Sequence, residues 1–74
     1  MSNTIKATAG IYTAVLDCDY GVVNVSSKDG YFAARGYWAE NKLNGMPGLL
    51  DSEVDEISAA MSTAILSQML DAAR

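Results

Sequence analysis

Apolar and polar residues alternate along the first forty positions of the chain. Between residues 4 and 16, one parity is mostly apolar, which is typical of a half-buried strand; its members are Ile5, Ala7, Ala9, Ile11, Thr13 and Val15. Gly10 marks a bulge or bend within this strand. Residues 20–26 and 31–40 predict a second and a third strand, and short turns between the three favour an antiparallel meander.

The second half of the chain has a different period. Asn44-Gly45 and Pro47-Gly48 are two turn signals in residues 41–50, which are expected to form a surface loop. From Asp51 onward an apolar stripe recurs at helical spacing; it consists of Val54, Ile57, Met61, Ile65, Leu66, Met69 and Leu70. We expect a helix over residues 52–72, with Asp51 or Ser52 as its N-cap and Asp55 completing a capping box.

The predicted fold is a single α+β domain over residues 1–74. It is a three-stranded antiparallel β-meander followed by one long C-terminal helix packed on one sheet face, βββα. The face expected toward the helix carries Ile5, Ala9, Ile11, Val23, Val25, Phe32, Ala34 and Trp38. The face expected to point outward carries Lys6, Thr8, Tyr12, Val22, Asn24, Tyr31, Ala33, Arg35 and Tyr37.

The outward face is a candidate protein-binding surface. Tyrosine and arginine are enriched in binding hot spots because each joins apolar area to a polar group. Tyr12, Tyr31, Arg35 and Tyr37 are therefore candidate partner-binding residues. The alternative is a register shifted by one residue, which would bury these rings instead.

Charge narrows the choice of partner. Nine acids against five bases give a net charge of −4, which disfavours nucleic acid and anionic membranes as direct partners. Four acids begin the predicted helix, namely Asp51, Glu53, Asp55 and Glu56. They complement the helix dipole, and their number also fits contact with a basic protein surface; both interpretations stay open.

Catalytic and metal-binding groups are scarce. The chain has no histidine, so it cannot build a Ser-His or Cys-His pair or a common zinc site. Cys18 lies between Asp17 and Asp19, whose charges disfavour the thiolate. Residues 17–28 begin like a calcium loop but end in Lys28 where the loop needs a glutamate. We expect a protein that is not an enzyme, with no catalytic residues, no cofactor and no metal.

The chain shows no sign of a membrane-spanning or secreted segment. No apolar stretch reaches the roughly 20 residues that span a bilayer, and the first residues lack the features of a signal peptide. A cytoplasmic location is expected, and a single unpaired cysteine fits it.

Because so short a domain has a thin core, support from a second subunit is favoured. A homodimer and a monomer that keeps its surfaces for a foreign partner both stay open.

The chain resembles the inhibitors that bacteriophages encode against host defences, such as the anti-CRISPR proteins. The features that it shares with them are small size, net acidity, and strands followed by one helix with acids at its start. The resemblance covers the whole chain but lies in these general features, so it implies no particular site residues. It implies binding to a basic, nucleic-acid-handling host protein or complex in the host cytoplasm, and blocking of guide loading, target DNA binding or nuclease recruitment. The alternative is a structural or accessory subunit that forms a homo-oligomer.

Overall fold

The computed structural model describes residues 3–72, in which five antiparallel strands form one sheet and a single helix packs on it. The elements are β1 (Thr4–Ala9), β2 (Tyr12–Asp17), β3 (Val22–Ser27), β4 (Ala33–Ala39), β5 (Lys42–Asn44) and α1 (Asp51–Ala72). Their order in the sheet is the order along the chain, so the topology is a meander. The α+β class with a C-terminal helix is confirmed, whereas the prediction of three strands was wrong.

The first predicted strand is in fact a hairpin. Ala9 pairs with Tyr12, and the two residues between them turn the chain back on itself. Gly10 occupies the first of these positions with a φ of 59°. A two-residue hairpin turn with glycine first is the type II′ turn, in which other residues are strained. Gly10 therefore ends β1 instead of bending a continuous strand.

This turn changes which residues face the helix. Cross-strand partners share a face, so Tyr12 points to the same side as Ala9. The buried side chains accordingly switch from odd numbers in β1 to even numbers in β2; they are Ile5, Ala7, Ala14 and Leu16. The outward placement predicted for Tyr12 was wrong, because Tyr12 packs against the core. The inward placement predicted for Ile11 was also wrong, because its side chain is 54% exposed in the turn.

The third predicted strand corresponds to β4 and is followed by a fifth strand that was not predicted. Glu40 and Asn41 link β4 to β5 with φ values of 55° and 59°, as a type I′ turn requires at both central residues. Glutamate is uncommon in this region of φ, and β5 had been predicted as part of a loop. In β5, Leu43 pairs with Trp38 and is only 2% exposed, so this short strand supplies a central core residue.

The sheet curls around the helix. Helix α1 packs most extensively against β1 and also contacts β5, although these two strands are the opposite edges of the sheet. The Leu43 backbone N–H at the β5 edge donates a hydrogen bond to Ser58 Oγ on α1 at 3.0 Å. Gly36 permits the tight approach of the following chain, because a Cβ at that position would collide with the carbonyl oxygen of Asn44. The core is thus enclosed between the curled sheet and one helix.

Helix α1 begins at Asp51, one residue earlier than predicted. The Leu50 carbonyl accepts a hydrogen bond from the Val54 N–H at 3.0 Å, which is the first helical bond. Glu53 Oε1 accepts one from the Leu50 N–H at 2.9 Å. This is the returning half of a capping box with Leu50 at the N-cap position. The predicted caps at Asp51 or Ser52, and the capping role of Asp55, were therefore wrong.

The apolar stripe of α1 packs along only part of its length. Ile57 and Met61 are 1% and 0% exposed, and Val54 and Ile65 pack against them. The last two turns carry three large apolar residues that stay exposed, namely Leu66 at 60%, Met69 at 62% and Leu70 at 66%. The apolar stripe therefore continues beyond the part of α1 that is buried against the sheet.

Candidate protein-binding surfaces

The structure divides the eight predicted partner-binding residues between two surfaces. Six lie at or near the start of α1, which together we call the acidic end. They are Asp51, Glu53, Asp55 and Glu56 on the helix itself, Tyr12 at the start of β2, and Tyr31 just before β4. The other two, Arg35 and Tyr37, lie on β4 and face away from the helix. The predicted set is therefore not one contiguous site.

Glu53 joins three segments at the acidic end. Its Oε2 accepts a hydrogen bond from the Tyr12 hydroxyl at 2.7 Å, and its Oε1 caps the helix through the Leu50 N–H. These two bonds hold the pKa of Glu53 below its ordinary value, and the bond from Leu50 has the larger effect. The carboxylate in turn raises the pKa of the Tyr12 hydroxyl. Since both of its oxygens are engaged within the chain, Glu53 acts as a support for this surface.

The turn between β3 and β4 is held by a second carboxylate. Asp29 Oδ1 accepts hydrogen bonds from Ser27 Oγ at 2.6 Å and from the Tyr31 backbone N–H at 3.0 Å. The bond from Ser27 is the main cause that lowers the pKa of Asp29. This turn lies close to Tyr12, because Ser27 pairs with Tyr12 across β2 and β3 and the Lys28 N–H donates a hydrogen bond to the Ile11 carbonyl at 2.7 Å. The negative charge of Asp29 makes a minor contribution to the raised pKa of Tyr12.

Two large apolar side chains, Tyr31 and Leu50, are exposed at or next to the acidic end. Tyr31 follows the Asp29 turn and is 93% exposed, while Leu50 precedes α1 and is 69% exposed. The ring of Phe32, next to Tyr31, packs edge-on against Tyr12, with centroids 5.8 Å apart. The backbones that carry Tyr31 and Leu50 are thus anchored from below, although their side chains are open to solvent. Asp51, Asp55 and Glu56, in the first two turns of α1, are also exposed.

The outer sheet face has a different character. One cross-strand row runs over four strands and contains Lys6, Val15, Asn24 and Arg35. Arg35 Nε donates a hydrogen bond to Asn24 Oδ1 at 3.1 Å, which orients the guanidinium on the surface. A shallow hollow of about 420 Å³ lies beside this row, between small side chains of β3 and β4. Tyr37, in the next row, is 54% exposed.

The third surface was not predicted as a site. It comprises Ile65 to Leu70 of α1, which we call the helix tail. The tail borders an open hollow of about 380 Å³, lined by Asn41, Ser62, Ile65, Leu66 and Met69. The sequence had assigned these apolar residues to the core because their spacing continues the buried stripe. The spacing alone carries no signal of where the sheet ends.

Two further features of the described residues concern metal-ligating side chains and the cysteine. Within residues 3–72, no group of three or more His, Cys, Asp or Glu side chains is placed to hold a metal ion. Cys18 is a free, exposed thiol in the turn between β2 and β3. The same part of the chain contains no helix long and apolar enough to cross a membrane.

Comparisons with family models, with curated proteins and with solved structures gave no match for this chain.

Proposed function

We propose that this chain is a non-enzymatic protein-binding module whose acidic end occupies a basic surface of another protein. One observation carries the proposal, namely the Glu53 carboxylate that ties Tyr12, Leu50 and the start of α1 together. Because the supporting backbone is fixed before binding, exposed groups on it lose less conformational freedom when a partner arrives. The acidic end therefore combines a rigid base with exposed apolar side chains.

Charge favours a basic partner. The acidic end holds four carboxylates, namely Asp51, Glu53, Asp55 and Glu56, and Asp29 lies in the turn between β3 and β4. Lys28 is the base in the adjoining turn. Such a concentration of one sign attracts the opposite sign and raises the rate of encounter. Tyr31 and Leu50 would then supply the apolar contacts that slow dissociation.

We further propose that the partner is a host protein that handles nucleic acid, and that binding inhibits it. Proteins that hold a phosphate backbone present lysine and arginine at their binding surfaces. A cluster of carboxylates can compete for such a surface because it carries the same sign of charge as the phosphates. This proposal agrees with the resemblance in size, acidity and layout to phage-encoded inhibitors such as anti-CRISPR proteins.

The outer sheet face is proposed as a secondary contact. Arg35 and Tyr37 are exposed there, beside a hollow that could accept a partner side chain. Their separation from the acidic end means that the two contacts can be tested independently. Tyr37→Ala should accelerate dissociation if this face takes part, whereas it should leave the rate of association unchanged.

The experiment begins with affinity purification of the tagged chain from host cells and mass spectrometry of what it retains. Surface plasmon resonance with the purified partner then compares the wild type with the triple variant Asp51→Asn, Asp55→Asn, Glu56→Gln. Glu53 is left intact because it supports the fold. We expect association to slow by about tenfold and its salt dependence to flatten, because a rim charge mainly sets the association rate.

The control is Glu40→Gln with Asp71→Asn, which removes acids that lie outside the acidic end. This control should keep most of the association rate of the wild type. Adding the nucleic acid that the partner binds should displace the chain if both occupy one surface. An association rate that does not change with salt concentration and is the same in the triple variant as in the wild type would contradict the proposal of a basic partner.

A structural or accessory role as a homo-oligomer is the second candidate function. The observation that favours it is the exposed helix tail, where three large apolar side chains are more than half exposed. Monomeric proteins rarely expose contiguous apolar patches of more than about a few hundred Å². Sedimentation analysis of the purified chain tests this candidate.

A further inference from the structure

The helix tail is the largest concentration of exposed aliphatic side chains on α1. Leu66, Met69 and Leu70 follow one another at spacings of three and four residues, so they lie on one side of the helix. Each of them is at least 60% exposed. They stand next to the hollow of about 380 Å³ formed with Asn41 of the β4–β5 turn. The tail thus has both projecting side chains and a recess that could receive them.

We propose that the helix tail binds the helix tail of a second copy of this chain, with the two helices crossing antiparallel about a two-fold axis. In this arrangement Leu66 or Met69 of each copy enters the recess of the other. A two-fold contact of this kind is self-complementary, because the same patch supplies the projection and the recess on both sides. The inference is independent of the proposed binding to a basic protein, and it rests on the second candidate function, for which it names the surface and the geometry of the contact.

Charge is the first reason to choose a second copy as the occupant. The fourteen residues from Ile57 to Leu70 contain no Asp, Glu, Lys or Arg. Two copies that each carry a net charge of −4 repel one another wherever their acids meet. Glu56 lies ten residues before Leu66, or about 15 Å along the helix, which exceeds the Debye length of roughly 10 Å at 0.1 M salt. Two further acids border the tail, because Asp71 follows Leu70 and Glu40 precedes the Asn41 that lines the recess. The tail itself adds no negative charge, so two copies can touch there with less repulsion than at the acidic end.

Close approach is the second reason. Small side chains separate the large ones along this part of α1, namely Ser62, Thr63, Ala64 and Ser67. Small residues let two helices come near enough for large side chains to interlock. A foreign basic protein would meet no acid within this uncharged stretch, whereas the acidic end would attract it.

Size predicts a weak dimer. A stable interface usually buries about 800 Å² on each partner. Three side chains and the rim of one recess supply less than that, so the contact belongs to the small class of interfaces. We therefore expect a dissociation constant of roughly 10–100 µM, with monomer dominant in dilute solution.

Sedimentation velocity tests the proposal with untagged full-length chain from about 5 to 500 µM. The wild type should shift from monomer to dimer, and Leu66→Glu should remain monomeric throughout. Because Leu66 is 60% exposed in the monomer, the substitution should leave the circular dichroism spectrum unchanged. Leu66→Lys should break the dimer equally, although it lowers the net negative charge, which separates lost packing from added repulsion.

The matched control is Leu50→Glu, the same substitution at a leucine that is 69% exposed at the other end of α1. This variant should dimerise like the wild type. Met69→Glu offers a second disrupting change should Leu66 prove necessary for folding. A wild type that stays monomeric over the whole range would overturn the proposal. A dimer that persists in both Leu66→Glu and Met69→Glu would also overturn it. So would a dimer that is lost in Leu50→Glu but kept in the two tail variants.

Discussion

The two halves of helix α1 have similar apolar residues but different surroundings. In the first half, Ile57 and Met61 are completely buried and Ser58 bonds to the edge of β5. In the second half, Leu66 and Met69 continue the same stripe and remain exposed. Strands of six residues span about 20 Å, whereas a helix of 22 residues spans about 33 Å. The helix is thus longer than the sheet that it covers, and the excess is the helix tail.

The largest expected effect comes from comparing two methionines. Met61 is 0% exposed and Met69 is 62% exposed, so the same truncation removes core packing from only one of them. Met61→Ala should cost about 2–5 kcal/mol and leave this small domain largely unfolded. Met69→Ala should change the free energy of unfolding by no more than about 0.5 kcal/mol. Urea titration at low micromolar concentration, where the proposed dimer is dissociated, measures both.

Equal losses from the two methionines would mean that the tail is packed like the core. In that case the contrast between the two halves of α1 would be wrong.

A second comparison uses two serines of α1. Ser58 accepts the Leu43 N–H in a buried position. Ser58→Ala should lower the free energy of unfolding by about 1–3 kcal/mol, because the Leu43 N–H loses its acceptor. The higher helix propensity of alanine should offset about 0.5 kcal/mol of this loss. Ser67 is exposed on the tail, and Ser67→Ala should be neutral or stabilise by up to about 0.5 kcal/mol. Thermal unfolding by circular dichroism separates them.

Hydrogen exchange gives an independent measurement of the first of these changes. The Leu43 amide should exchange faster in Ser58→Ala than in the wild type. Unchanged exchange at Leu43 would show that the hydroxyl does not protect the β5 edge.

The smallest effect concerns pH at the start of α1. The pKa of Glu53 is held below its ordinary value of 4.5 by the Leu50 N–H and the Tyr12 hydroxyl. Its contribution to stability is therefore complete above that value and is lost as the pH falls through the lower pKa of the folded state. Glu53→Gln should be less stable than the wild type at neutral pH, and the difference should shrink in acid. Melting temperatures measured over a pH series give this difference directly.

Glu56→Gln is the matched control, since Glu56 lies three residues later and is exposed. Its pH profile should run parallel to that of the wild type. A constant difference between Glu53→Gln and the wild type over the same series would remove the assigned role of the Glu53 hydrogen bonds.

The fold class and the helix could be predicted because they depend on the period of apolar residues. The number of strands could not, because it depends on two short turns. Gly10 is compatible with a bend as well as a turn, and Glu40-Asn41 adopts positive φ without the glycine that usually marks such a turn. The first of these missed turns also reversed the predicted side of Tyr12, because one hairpin exchanges the parity of all residues that follow in the strand.

Part of the candidate site was predicted correctly at the level of exposure. Tyr31, Arg35 and Tyr37 are exposed as expected, and their contact with a partner stays a prediction. The supporting role of Glu53 was missed for two reasons. Tyr12 lies 41 positions away and reaches Glu53 only in the folded chain, and leucine at the N-cap position is not part of the usual capping-box signature. The helix tail was missed because a stripe identifies the apolar side of a helix but not the length of the surface opposite.

The packing of α1 against β1 has a consequence for how the chain folds. Each hairpin joins neighbouring residues and can form within microseconds, whereas the Tyr12–Glu53 bond joins residues 41 positions apart. Contacts of such long sequence separation slow folding, because the intervening chain must be ordered before they are gained. The strands and the helix can therefore acquire local order early. Their enclosure of a common core must wait until α1 docks on the first strand.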